Sequence, residues 1–103
     1  MKDLVFLGDS LEQLRDFPEQ ARKEAGVQLH KVQQGIDPSS WKPMTSVGQG
    51  VREIRIRDEA GAFRVLYITK LEDAVYVLHI FQKKTQQTAK RDLDLAAARL
   101  RQI

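Results

Sequence analysis

Arg55 and Arg57 alternate with Ile54 and Ile56, Arg64 interrupts the apolar run Phe63–Tyr67, and Lys83 and Lys84 stand side by side where a third apolar run ends. These residue types in these places suit the handling of an anion. Arginine offers a planar fork matched to phosphate oxygens, and lysine a movable point charge. Adjacent lysines repel unless something anionic lies opposite. An arginine inside an apolar run is expensive to bury alone, so Arg64 either pairs with Glu53 or another carboxylate, or edges a groove that holds an anion. Neighbouring strands lie only about 5 Å apart, so basic tips on three of them can converge on one phosphate-sized site. Trp41, beside Lys42, together with Tyr67, Tyr76 and Phe81, offers rings on which bases can stack. The plainer alternative is that strand-end lysines guard a sheet edge and the arginines make surface ion pairs.

Seven elements must position these residues. Leu4–Leu7 reads as a short strand, and Ser10 as the cap of a helix beginning at Leu11. Pro18 restarts the helix, after which Ala21, Ala25, Leu29 and Val32 form an apolar stripe and Gly35 ends it. Residues 35–50 hold two prolines, three glycines and three serines, and read as loop. Residues 51–57 alternate as a strand, DEAGAF turns at Gly61, and two nearly continuous apolar strands follow, joined by a turn at residues 71–74. Strands apolar on both faces are central or covered on both sides. Thr88 is placed to cap a last helix with the stripe Leu93, Ala96, Ala97 and Leu100. The order β-α-α-β-β-β-α predicts an α+β domain over residues 1–103: a small antiparallel meander with its helices mainly on one face.

Composition narrows the chemistry. Without cysteine there is no disulfide, thiolate nucleophile or thiolate metal site, which fits a reducing cytoplasm. His30 and His79 lack metal-ligand spacing, and no serine-hydrolase elbow, P-loop or dinucleotide fingerprint occurs. No apolar run reaches membrane-spanning length, and the N-terminus does not read as a secretory signal. The net charge of +3 is uneven: residues 1–50 carry six Lys/Arg against seven Asp/Glu, and residues 51–103 carry eleven against seven. The positive excess lies with the strands and the last helix, pointing to an anionic partner.

The stretch from Trp41 to Leu100 resembles the phage-derived, HigB-like branch of the RelE/ParE toxin superfamily. The resemblance is carried by Lys42-Pro43, Gly48 and Gly50, Glu53-Ile54-Arg55, Phe63-Arg64-Val65 with Tyr67, and His79, Phe81, Lys83, Lys84 and Thr85 ahead of an Ala-rich helix. One departure is Thr88-Ala89, where the family's last helix often begins with proline. The resemblance implies a RelE-like α+β fold and the toxin of a type II toxin–antitoxin system. Such toxins usually cleave mRNA on the ribosome without metal or other cofactor, and pair with an antitoxin that is often a helix-turn-helix protein. On this pattern Arg55 and Arg64 clamp the scissile phosphate. Lys84, with Lys83 beside it, stabilises charge or moves a proton. Lys42, Tyr67, Arg57, Trp41 and His79 contact substrate. Two rivals stand beside this reading: a gyrase-directed toxin of the same superfamily, and a nontoxic binding module whose lysines meet an acidic partner.

Overall fold

Period-two alternation is realised in β3 (Arg52–Asp58), where Ile54 and Ile56 are buried and Arg55 and Arg57 exposed. The computed structural model describes residues 1–70 and 74–103, and the turn expected at 71–74 lies largely outside them. β3 pairs antiparallel with β4 (Gly61–Lys70), and β4 with β5 (Ala74–Lys83). Gly61, at φ +136°, turns the β3–β4 hairpin as expected. β1 (Asp3–Phe6) lies parallel to β5, so the sheet is mixed rather than a pure antiparallel meander. A three-residue strand, β2 (Trp41–Pro43), forms within the segment expected to be all loop and pairs with β3. Pro43 is tolerated because β2 is an edge strand. The sheet order is β1-β5-β4-β3-β2.

Two helices precede the sheet's main body. α1 (Ser10–Arg15) begins one residue earlier than expected, with Asp9 at the cap position; Ser10 instead reaches the Val77 carbonyl. α2 (Glu19–Gln33) starts after Pro18 and buries Ala21, Ala25, Leu29 and Val32 against Ile54, Ile56, Phe63, Val65 and Tyr67. It ends at Gly35, φ +82°, with Gly35 N–H on the Val32 carbonyl and Ile36 N–H on that of Lys31.

α3 (Lys90–Leu100) corrects the expected one-sided arrangement. It packs on the other face, where Ala96 joins Leu66, Ile68, Leu78 and Phe81. That covering explains why β4 and β5 are apolar on both sides. Leu78 is an extra residue in β5, so Leu66 pairs with His79 and Tyr67 with Val77. The resulting bulge sends both Leu78 and His79 toward α3. On this same face of the sheet Lys42, Arg55, Arg57, Arg64 and Lys83 fall in neighbouring cross-strand rows.

Candidate functional site

Register fixes the candidate site. On the α3 side of the sheet, Arg55, Arg64 and Phe81 form one cross-strand row. Lys42, Glu53, Leu66 and His79 form the row on one side of it, and Arg57, Ala62 and Lys83 the row on the other. Arg64 is buried and leans back one row, placing Nε 3.5 Å from Glu53 Oε1. Its Nη1 donates to the Phe63 carbonyl at 3.0 Å. Lys42 Nζ lies 3.9 Å from the same Glu53 oxygen, and Thr88 Oγ1 donates to Glu53 Oε2 at 3.1 Å. Thr88 therefore does not cap α3 as expected: Ala89 holds the cap position, and the hydroxyl binds the buried carboxylate.

Above these groups lies a depression of about 330 Å³ whose lining includes Lys42, Lys83, Gln86 and Thr88. Among the described residues, no carboxylate pairs with Arg55, Arg57, Lys83 or Lys84. Burial holds the Lys83 ammonium below its ordinary pKa, and the positive charges of Arg64, Lys42 and Arg55 push it the same way while Glu53 opposes them. Arg64 is likewise lowered, first by burial, then by Arg55 and Arg57 against the counter-pull of Glu53. This is an under-neutralised cationic patch, the electrostatic condition for capturing a phosphate.

Lys84 lies beyond the end of β5, exposed, in a separate cleft of about 640 Å³ lined also by Lys83, by Gln13 of α1 and by Arg91 and Leu95 of α3. Lys83, rather than Lys84, thus joins the Arg64 cluster. His79 is buried; its Nε2 lies 2.7 Å from Asp92 Oδ1, Arg99 Nη1 lies 3.5 Å from its Nδ1, and its ring stacks on Phe81. Both ring nitrogens are occupied by protein groups, so His79 supports the floor beneath the cations.

Trp41 and Tyr67 are not brought to this face. Trp41 is paired in register with Ile54, so it stands on the α2 side, where the Arg52 guanidinium covers its ring at 3.9 Å. Tyr67 is buried in the α2-side core; among the described residues its hydroxyl has no hydrogen-bond partner, and burial raises its pKa. Sequence reasoning treated Glu53 only as a possible partner for Arg64. Its signal was a carboxylate on the same strand face as Arg55 and Arg57.

Three helices on a five-stranded mixed sheet, in this element order, agree with the fold of a RelE-like toxin. The chain belongs to the Gp49-like phage-derived protein family, whose sequence model matches residues 12–101. That family is toxin-like and associated with toxins of toxin–antitoxin pairs. A search of curated proteins gives no match. No helix among the described residues is long and apolar enough to cross a membrane.

Proposed function

We propose that this protein is the toxin of a type II toxin–antitoxin system, of the HigB-like kind, and that it arrests translation by cleaving mRNA on the ribosome. The observation that carries the reading is the cationic face: Arg55 opposite Arg64, with Lys83, Lys42 and Arg57 around them and the buried Glu53 carboxylate between Arg64 and Lys42. Such a face can hold a phosphodiester and stabilise the charge that accumulates as phosphorus becomes five-coordinate.

In the proposed reaction the ribose 2′-oxygen attacks the adjacent phosphorus and the P–O5′ bond breaks. The products are a 2′,3′-cyclic phosphate and a 5′-hydroxyl. Arg55 and Arg64 clamp the non-bridging oxygens. Lys83, whose pKa is lowered by burial and by its cationic neighbours, accepts the 2′-hydroxyl proton. Lys84, which follows Lys83 and lines the neighbouring cleft with it, gives the 5′-oxygen its proton. The antitoxin, proposed as a helix-turn-helix protein, would neutralise the toxin by presenting carboxylates to the same cations.

The test is primer extension on mRNA from cells induced for the wild-type chain, with purified ribosomes and message as the in vitro counterpart. Discrete 5′ ends within translated message, and cyclic phosphate on the upstream fragment, are expected. Intact message together with a DNA-damage response would contradict the reading and favour a gyrase-directed toxin.

A further inference from the structure

Glu53 is 0% exposed, yet it lies beneath cations that the proposed reaction needs. Burying a carboxylate costs several kcal/mol unless partners compensate, and an apolar residue of similar size is often as stable or more so. Its partners are arranged unusually. Oε2 takes the Thr88 hydroxyl, but among the described residues Oε1 and the facing Arg64 Nε form no hydrogen bond with each other or with any other group. The guanidinium is thus attracted to Glu53 without being locked onto it in a two-bond fork. Its Nη1 is held by the Phe63 carbonyl, which leaves Nη2 without a protein acceptor among the described residues. Thr88 lies in the segment leading into α3, so the same carboxylate also pins one wall of the depression that Lys42 and Lys83 line.

We propose that Glu53 is a positioning residue for the cationic site: its buried carboxylate gathers Arg64, Lys42 and Thr88 at one point and leaves Nη2 of Arg64 for a substrate phosphate. This rests on the RNA-cleaving reading of the face. Glu53 also offsets the mutual repulsion of the cluster. The charged groups set about Lys83 are Lys42 on β2, Glu53, Arg55 and Arg57 on β3, Arg64 on β4, Lys84 next to it, Asp9 ahead of α1, and Arg91 and Asp92 on α3, so deleting the Glu53 charge leaves cations dominant.

The test uses the full chain and the substitution Glu53→Gln, which keeps the size and an oxygen for Thr88 while removing the charge. Two readouts are compared. The first is the pH titration of the Lys83 side chain by carbon-13 NMR, which needs no RNA; its midpoint is expected to move to lower pH than in the wild type. The second is single-turnover cleavage of ribosome-bound message, expected to fall about 10²-fold through misplaced clamping, with binding of a 2′-O-methyl oligonucleotide retained. An unmoved Lys83 midpoint with wild-type cleavage overturns the proposal. A shifted midpoint, in a preparation whose wild-type chain cleaves nothing, upholds the electrostatic role of Glu53 and rejects the RNA reading instead. Should Glu53→Gln fail to fold, Thr88→Val cuts only the tether to Oε2. It is expected to lower cleavage about tenfold while the Lys83 midpoint stays in place, and wild-type cleavage by that variant overturns the positioning role.

Discussion

Arg55 and Arg64 stand directly opposite each other on β3 and β4, two like charges in one cross-strand pair. Like charges so placed destabilise a sheet by up to about 1 kcal/mol. Among the described residues only Arg64 of this pair has a carboxylate partner, and Arg55 is exposed on the same face. A sheet optimised for stability alone would place an acid opposite the exposed arginine. This pair makes sense as a fork awaiting an anion between its two arms.

Lys83 carries the same tension. Because its folded-state pKa lies below the unfolded value, the unfolded chain binds that proton more readily in the intervening pH window. Lys83 therefore opposes folding at neutral pH, and stability recovers as pH rises through the folded pKa toward the unfolded one. Lys83→Met is expected to raise Tm at pH 7 and to erase that alkaline gain, while cutting cleavage by about 10²-fold or more. Thermal melts between pH 7 and 10, alongside cleavage assays, check both halves.

Asp9 and Arg99 join the start of α1 to the end of α3: Arg99 Nη2 donates to Asp9 Oδ1 at 2.6 Å, and Nη1 donates to the Leu78 carbonyl at 2.9 Å. Arg99 holds the Asp9 carboxyl below its ordinary pKa, chiefly through that hydrogen bond. The stabilisation is therefore fully present above the unfolded value of 3.8 and is lost as pH falls through the folded one. Asp9→Asn is expected to lower Tm by a few degrees at pH 7, with the gap to wild type closing in strong acid. Gly8→Ala should do similar damage, because Gly8 has φ +56° and a methyl group there would strike the Arg99 guanidinium.

Trp41 is the chain's single tryptophan and is stacked under Arg52 on the α2 side. Trp41→Leu is expected to leave cleavage near wild type and to cost about 0.5–1 kcal/mol of stability from the lost cation–π contact alone. Correspondingly, adding a 2′-O-methyl oligonucleotide should change tryptophan emission little. Strong quenching on binding would place substrate on the α2 face.

What could be read from sequence depended on periodicity. The α2 stripe and the alternation in β3 are long enough to show their period, and both emerge as read. β2 spans only Trp41–Pro43, too short for any period to register. The side on which α3 packs has no local signal, although the two-sided apolarity of β4 and β5 already demanded a second cover. Arg55 and Arg64 come together because the β3–β4 register follows from the turn at Gly61, and the β4–β5 pairing sets Lys83 in the next row. Trp41 failed as a stacking candidate because a loop reading cannot say which face a side chain will take. The buried connection from Glu53 to Thr88 crosses 35 residues, and the one from Asp9 to Arg99 crosses 90, so neither leaves a spacing to find.

The account's central claim is that the Arg55–Arg64 face is where RNA is cut, and Arg55→Ala tests it most directly. Arg55 is exposed and pairs with no acid among the described residues, so its loss should leave the fold intact and Tm unchanged or slightly raised. Single-turnover cleavage of ribosome-bound mRNA by this variant is predicted to fall about 10²–10³-fold. A folded Arg55→Ala protein that cuts message at the wild-type rate would contradict the account.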